Sequence, residues 1–331
     1  MSTTEFDAAV VTSLVEDAVL APSMHNAQPW KFVHRTGSRS IAMYGDPDRT
    51  LPYGDPDHRA LHLGCGAAPF NLRVAAAHSG RAATVRLFPA PEDPWFLADT
   101  MLDEPAPEPS ERDLADLHPA VRRRHTSRFP FSDEQIPKPI LDGLCSAALL
   151  EGCRLITPGA WHASAVMEVV HDAELLEAAD EAVREEIATW TRTGRTDEGP
   201  DDQGIPADAL GPRQYGVDSP VRDFDPTRRV PDRAVAVFEK HPHIALLGTV
   251  NDTPADWLRA GQAMQRMLLQ AILDGLATSL MSQPLEWPEL RSSVRDPSSA
   301  IGFVHMVFRL GYGPQGAATP RRPVGEVLSI E

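Results

Sequence analysis

Apolar residues recur along this chain at two spacings, one typical of amphipathic helices and the other of strands. In the first part of the chain the pattern predicts an amphipathic helix over 6–20 and a largely buried helix over 59–79. Residues 89–110 are rich in proline and acidic residues, so we expect a linker there. Short apolar runs predict three strands, the first two joined by a hairpin turn: 30–35, 40–44 and 84–88.

A second run of elements follows this linker. Residues 193–232 are dense in glycine, proline and aspartate and have almost no apolar period. A loop of this length inside a compact domain is usually functional or disordered. Around it the apolar pattern predicts helices near 133–149, 161–190 and 261–280, and strands near 153–157, 244–248 and 304–310.

The two central helices share a sequence pattern. Residues 66–89 align without gaps on residues 261–284, at a constant offset of 195, and several glycines, alanines and a proline coincide. Both segments are central helices by periodicity, and each leads into a short apolar run. We interpret this match as a duplicated α+β unit. The alternative is two unrelated buried helices in which common small residues coincide.

The composition narrows the class of protein. At 331 residues, with 42% hydrophobic and 24% charged residues, the chain is typical of a soluble protein with one large domain or about two smaller ones. Its net charge of -16 argues against nucleic acid as a partner, because phosphate binding relies on lysine and arginine. The sequence predicts neither a signal peptide nor a membrane span. Cys65, Cys145 and Cys153 lack C-x-x-C spacing, so we expect reduced thiols in a cytoplasmic protein.

Four hydrogen-bonding side chains lie close together in the segment 22–30, which has a proline near each end. Ser23, His25, Asn26 and Gln28 together offer donors and acceptors. Proline fixes φ and favours an extended conformation in the residue before it. Such a segment suits a flat heteroaromatic ligand whose edge alternates donors and acceptors. The alternative is a polar turn between a helix and a strand.

Arginines are concentrated in a short segment just after the acidic linker. If this segment is extended, alternate residues point to one side, which places Arg124, Thr126 and Arg128 together. Two guanidinium groups and a hydroxyl suit bidentate phosphate recognition. The alternative is a solvated basic patch that pairs with the acidic linker. Near the C-terminus, prolines flank a further basic pair, Arg321 and Arg322, which alone is a weak signal.

The other short motifs indicate neither a metal site nor a dinucleotide-binding site. The Gly64-Cys65-Gly66 segment lacks the third glycine of a dinucleotide fingerprint. His241 and His243 have no third ligand nearby in sequence. The sequence therefore predicts no metal site, and it offers no obvious side chain for acid–base catalysis.

The polar segment Pro22-Ser-Met-His-Asn-Ala-Gln-Pro-Trp30 resembles the P-S-x-x-N-x-Q-P-W segment of FMN-dependent nitroreductases. Arg124-His-Thr-Ser-Arg128 resembles the R-x-S/T-x-R/K phosphate-binding segment of that family. Thr319-Pro-Arg-Arg-Pro323 is similar to its C-terminal arginine segment. Over nearly its full length the chain resembles the tandem, Acg-type nitroreductase-like proteins, in which two degenerate nitroreductase units share one chain.

This resemblance implies a role for the basic segments. Arg124, Thr126 and Arg128 would hold the FMN phosphate and the adjoining ribityl chain and ring edge. Arg321 would close on the phosphate, with Arg322 as the less favoured partner. The phosphate end of the cofactor would therefore be held by the second half of the chain.

The same resemblance assigns the first polar segment to the rest of the cofactor. Ser23, Asn26 and Gln28 would bond the ribityl chain or the ring, while His25 would either join them or face the core. Gln283 follows the second central helix, in a segment that resembles the loop beside the flavin N5. Because the motifs are divided between the halves, the resemblance implies one complete site per chain.

The resemblance implies an α+β, nitroreductase-like fold duplicated as a pseudo-dimer, with halves at 1–110 and 111–331 and a lid-like loop at 193–232. The implied activity passes hydride from NADPH or NADH, through non-covalent FMN, to a small electron-poor aromatic such as a nitro compound or quinone. The alternatives are a flavin-binding or flavin-storage protein with a closed site, and a structural protein without flavin. Because one chain completes the site, we expect a monomer or weak homodimer without nucleic-acid or membrane partners.

Overall fold

The computed structural model describes residues 7–103, 113–194, 202–215 and 220–331. The chain is a mixed α+β protein, as predicted. Its first part contains, in chain order, α1 Ala8–Ala18, β1 Trp30–His34, β2 Ser40–Gly45, α2 Arg59–His78, β3 Ala82–Leu87 and β4 Phe96–Asp103. The second part contains α3 His118–Val121, α4 Lys138–Leu150, β5 Arg154–Ile156, α5 Ala160–Ala179, α6 Glu181–Thr189, β6 Arg213–Gln214, β7 Val235–Ala236, β8 His243–Thr249, α7 Pro254–Leu273, β9 Ala277–Met281, α8 Gln283–Glu286, α9 Pro288–Arg291, β10 Phe303–Gly311, α10 Val324–Val327 and β11 Leu328–Ile330.

Two sheets of matching topology form the framework. The first has the strand order β11-β1-β2-β4-β3, and the second has the order β5-β8-β10-β9. Apart from β11, the strands correspond in order, and a long helix (α2 or α7) joins the second strand to the next strand along the chain in each case. β11 pairs in parallel with β1, with Phe32 opposite Leu328, so the end of the chain completes the sheet of the first part.

Helices α2 and α7 cross at the centre of the molecule with their backbones in contact. A Cβ atom added to Gly66 would lie 2.1 Å from the Leu258 carbonyl oxygen, and one added to Gly261 would lie 2.2 Å from the Leu63 carbonyl oxygen. These two contacts exchange under the offset of 195 that relates the helices in sequence. Only glycine fits at either position, because any side chain would overlap the opposite backbone.

The helix predicted over 261–280 is wrong at both ends. α7 begins earlier, because Thr253 and Asp256 form a capping box ahead of it. It ends at Leu273, and Gly275 then adopts a φ of 81°, which turns the chain out of the helix. Residues 277–281 form β9, which pairs with β10.

The prediction of a linker over 89–110 is wrong for the middle of that range. Residues 96–103 form β4, which pairs with both β2 and β3 in the middle of the first sheet. The prolines that suggested a linker all lie on either side of this strand. Residues 104–110 lie outside the described residues.

The single helix predicted over 161–190 is two helices. Asp180 adopts an extended ψ of 115°, and its carboxylate accepts hydrogen bonds from the amides of Ala182 and Val183 at the start of α6. The described part of the predicted loop over 193–232 contains a 3-10 turn, Ala207–Leu210, and β6, which pairs in parallel with β7. Within the described ranges, no helix is both long and apolar enough to cross a membrane.

Candidate functional site

A cavity lies where three polar segments of the chain meet. They are the segment after α1, the arginine segment after α3 and the residues just before α10. The cavity has a volume of about 100 Å³. Seven of the ten residues proposed from the sequence line it: Ser23, His25, Asn26, Arg124, Thr126, Arg128 and Arg321.

Three arginines of the cavity wall have no acidic partner. Among the described residues, no carboxylate oxygen lies within 4 Å of Arg124, Arg128 or Arg321. Arg124 is only 4% exposed, donates to the Leu20 carbonyl at 3.1 Å and leaves its buried Nε without a partner. Arg128 donates to the Ala209 carbonyl at 2.9 Å. Buried charge is costly unless it is paired, so the wall fits an anionic ligand.

The charges of this wall form two groups. Burial lowers the pKa of Arg321 to about 9, and the charge of Arg124 adds to this effect. Burial also lowers the pKa of Arg128 to about 10, with further contributions from Arg222 and Arg233. All these groups stay charged at neutral pH. Arg124 and Arg321 therefore form one positive end of the cavity, and Arg128 lies with Arg222 at another.

The backbone of the first polar segment is strained. His25, Asn26 and Gln28 have φ values of 50°, 55° and 53°, a region that favours glycine. The Ser23 hydroxyl accepts a hydrogen bond from the Gln28 amide at 2.9 Å, which closes the turn. Strain of this kind persists only where surrounding contacts hold it, and it clusters at functional sites.

Asn26 supplies several of those contacts. Its side-chain amide donates to the carbonyls of Gly204 and Pro320, both at 3.0 Å. Its Oδ1 accepts from Arg321 Nη1 at 2.9 Å. One side chain thus ties the strained turn to the long loop and to the C-terminal segment.

His25 presents a neutral ring to the cavity. Burial keeps its pKa well below its ordinary range, and the charges of Arg222 and Arg128 act in the same direction. Its ring meets Phe224 edge to face, with centroids 5.7 Å apart, and its buried Nε2 has no partner. A neutral imidazole with a free nitrogen suits a hydrogen bond to an uncharged ligand edge.

The other three proposed residues do not line the cavity. The Gln28 side chain is fully buried, and its Oε1 accepts from the Arg322 amide at 2.8 Å. The Arg322 guanidinium lies 3.7 Å from the Asp46 carboxylate. Gln283 is buried at the start of α8, and it is the preceding residue, Ser282, that reaches the cavity. Gln28 and Arg322 therefore stabilise the framework around the site.

Comparison with known proteins identifies the family. The sequence model described as "Nitroreductase family" matches residues 121–302, more than half of the chain. The chain belongs to the nitroreductase family. "Putative NAD(P)H nitroreductase Rv3131" of Mycobacterium tuberculosis is 32% identical over 328 residues, covering 97% of this chain and 92% of that protein. "Putative NAD(P)H nitroreductase acg" of the same species is 29% identical, covering 97% and 96%. The family predicted from the motifs is thus confirmed.

Solved structures of nitroreductases are more distant. The FMN-dependent nitroreductase NfnB of Mycobacterium smegmatis, in complex with NADPH, is 15% identical and has a TM-score of 0.38, with 65% of this chain and 97% of that chain covered. A nitroreductase of Bacteroides fragilis with bound FMN is also 15% identical, with a TM-score of 0.37 and coverage of 63% and 94%.

The cavity of this nitroreductase-family chain also includes residues that no sequence motif indicated. Arg222 and Phe224 come from the loop that follows α6, and both form part of the cavity wall. The Phe224 ring lies 4.8 Å from the Arg128 guanidinium carbon, which is a cation–π distance. A periodic pattern could not have indicated them, because the loop has none.

A second cavity lies on the other side of Arg222 and Phe224, which line both spaces. It is formed by α5, α6 and parts of the segments 212–214 and 221–233, and its volume is about 620 Å³. Glu174 and Glu177 of α5 belong to its wall. These two side chains therefore separate the first cavity from a wider space.

Proposed function

We propose that this protein is an FMN-dependent oxidoreductase that passes hydride from NADPH or NADH to a small electron-poor aromatic, such as a nitro compound or a quinone. One observation carries the proposal. Arg124, Arg128 and Arg321 line one cavity, beside a strained polar turn, and have no acidic partner in the described part of the chain. Such a site is complementary to a ligand that joins a phosphate dianion to a neutral heteroaromatic ring.

Each wall residue would have a defined task. Arg124 and Arg321 would hold the phosphate, with Thr126 adding a hydroxyl donor. Asn26 fixes Arg321 through the 2.9 Å bond to its Nη1, so the phosphate-binding fork would be pre-oriented. His25, being neutral, would bond the ring or ribityl edge without adding charge. Bound FMN would supply the hydride-transfer chemistry, which no side chain can supply.

The paired architecture supports a pseudo-dimer of nitroreductase-like halves. The two sheets repeat one strand order, and Gly66 and Gly261 make equivalent contacts across the helix crossing. Both halves, proposed at 1–110 and 111–331, contribute to the one cavity. Since a single chain would complete the site, we propose a monomer or weak homodimer acting in the cytoplasm.

A flavin-storage protein with little turnover is the second candidate. The long loop lies against the site, since Gly204 accepts from Asn26 and Phe224 packs on His25. The cavity volume is only about 100 Å³, so little room would remain for an electron acceptor beside a bound cofactor. A closed site would retain a cofactor and exclude an electron acceptor.

Cofactor retention tests the site. The double variant Arg124→Ala/Arg128→Ala should lose FMN during gel filtration, whereas we expect the wild type to retain about one FMN per chain. The matched control is Arg122→Ala/Arg123→Ala, because these exposed arginines belong to the same segment but lie outside the cavity wall. Equal flavin content in both double variants would refute the phosphate assignment.

Anaerobic reduction separates the two candidate functions. Addition of NADPH or NADH to the yellow wild-type protein should bleach the flavin absorbance, and a quinone should then restore it. A yellow protein that neither nucleotide bleaches would favour storage. A colourless protein that does not take up FMN would exclude both functions.

A further inference from the structure

A buried carboxyl group lies directly behind the cavity wall. The Ser282 hydroxyl, which lines the cavity, donates to Glu286 Oε1 at 2.8 Å. The Glu286 side chain is only 7% exposed. Ser282 therefore stands between the cavity and a carboxyl group that does not line it.

Glu286 shares its guanidinium partner with a second buried carboxylate, that of Glu177. One guanidinium, that of Arg222, binds both Glu286 and Glu177 through the same Nη2 atom. Burial raises the pKa of Glu286 to about 7, and the charge of Glu177 adds to this while Arg222 opposes it. The acidic groups facing this region from the packed elements are Glu174 and Glu177 of α5, Glu186 of α6 and Asp55 before α2.

The cluster of Glu174, Glu177, Glu286 and Arg222 lies between the two cavities. Glu174, Glu177 and Arg222 line the second cavity, whereas Arg222 and Ser282 line the first. Burial also raises the pKa of Glu174 to about 7. Carboxyl groups whose pKa is raised by burial therefore lie between the wider space and the candidate reaction site.

We propose that Ser282 delivers a proton to the electron acceptor reduced in the first cavity, and that Glu286 is the reservoir that resupplies it. This inference rests on the proposed function. Ser282 is the catalytic residue, because it alone of the two lines the cavity. Glu286 does not line the cavity and acts only through Ser282, so it is a positioning residue that also resupplies the proton. The sequence offered no obvious acid, because neither residue belongs to a recognisable motif.

The proton step balances for a quinone. A hydride that originates on NADPH or NADH brings two electrons and one proton to the quinone, whose second oxygen then needs one more proton. When Glu286 is protonated it donates across the same 2.8 Å contact, so Ser282 Oγ gives its own proton to that oxygen and takes the proton of Glu286. Glu286 is left as a carboxylate held by Arg222, which stays protonated. A proton from solvent, arriving through the second cavity, restores the carboxyl group.

The variants Glu286→Gln and Ser282→Ala test this proposal, with Glu289→Gln on the exposed face of α9 as a matched control. FMN-loaded proteins are reduced anaerobically with dithionite, so the test does not depend on NADPH or NADH. They are then mixed with a quinone or with ferricyanide in a stopped-flow instrument between pH 6 and 8. Ferricyanide takes electrons without protons, so it reports damage to the cofactor site alone.

We expect wild type and Glu289→Gln to reoxidise more slowly with the quinone as the pH rises through about 7. Glu286→Gln and Ser282→Ala should be about 100-fold slower with the quinone at pH 6 and should lose this pH dependence. Their rates with ferricyanide should stay within about twofold of the wild type. A proton titration of the folded proteins should also show about one proton fewer for Glu286→Gln between pH 6 and 8.

Two results would overturn the proposal: an unchanged quinone pH profile in both variants, or equal slowing with ferricyanide. If Glu286→Gln does not fold, Ser282→Ala decides alone, since it keeps the charge cluster intact. Failure of the wild type to retain FMN would instead count against the proposed function, so the two failures are distinguishable.

Discussion

Replacing Arg124 by methionine should move two measurable quantities in opposite directions. The ligand-free protein should become more stable, while its affinity for FMN should fall. Arg124 is 4% exposed, has no carboxylate partner among the described residues and makes one hydrogen bond, to the Leu20 carbonyl. Methionine has a similar reach without the charge, so it removes the electrostatic cost and leaves most of the packing.

The magnitude follows from the burial of the guanidinium. Burial lowers the pKa of Arg124 to about 10 from its ordinary value, which corresponds to roughly 3 kcal/mol against the charged form. Loss of the Leu20 hydrogen bond offsets about 1 kcal/mol of the gain. The free energy of unfolding should therefore rise by about 1–2 kcal/mol, or about 1–3 °C in Tm for a chain of this length. Loss of a buried charge-assisted contact with the phosphate should cost about 2–4 kcal/mol of binding, a roughly 30- to 700-fold increase in Kd.

Calorimetry of the flavin-free proteins in phosphate-free buffer measures the first quantity, and FMN fluorescence titration measures the second. Arg309→Met is the matched control. Arg309 is also fully buried, but it is paired with Glu239 at 3.2 Å and stacks on Phe131 outside the cavity. This control should lose about 3–5 kcal/mol of stability, because it leaves Glu239 unpaired. A lower Tm for Arg124→Met with an unchanged Kd for FMN would refute the reasoning.

Three further predictions follow from other contacts. Gly66→Ala should lower the free energy of unfolding by about 1–3 kcal/mol in a urea titration, because its Cβ would overlap the Leu258 carbonyl. Gly143 on α4 faces open space, so Gly143→Ala should raise the free energy of unfolding by about 0.5–1 kcal/mol in the same assay. Burial raises the pKa of Glu174 to about 7, so the stability that comes from its bound proton is lost as the pH rises from about 4.5 to 7. Glu174→Gln should therefore reduce the slope of the unfolding free energy against pH by up to about 1.4 kcal/mol per pH unit, as measured by thermal melts at several pH values. Of the three thiols only Cys145 is partly exposed, so a thiol reagent should modify one cysteine in the folded protein and three in denaturant.

The site was predictable from the sequence where its chemistry is local. Arg124, Thr126 and Arg128 line one cavity, as their residue types and spacing indicated. Their spacing did not indicate that the two arginines lie at separate positive ends of it. Gln28 could not be assigned in this way. Its positive φ redirects the side chain towards Arg322, and strain of that kind leaves no sequence signal when the residue is not glycine.

The fold was predictable where periodicity is strong, as in α1, α2, β1 and β2. The sequence prediction failed where local composition competed with pairing between strands that are distant in sequence. β4 lies between proline-rich flanks, so composition indicated a linker, but the strand gains hydrogen bonds from two neighbours at once. The break at Asp180 was missed for the opposite reason, since the apolar period continues through it while a single capping side chain divides the helix.

The central helices and the cavity arginines are held by different kinds of contact. Gly66 packs on the backbone of α7 and Gly261 packs on the backbone of α2, so a side chain at either position would push both helices apart. The helix crossing therefore constrains α2 and α7 together, whatever the protein binds. The arginines of the cavity wall carry no such mutual constraint, because their contacts are not repeated across the helix crossing. A duplicated chain can thus keep its central helices alike while its binding residues diverge, and a repeat of this kind is best sought in the packing glycines rather than in the binding motifs.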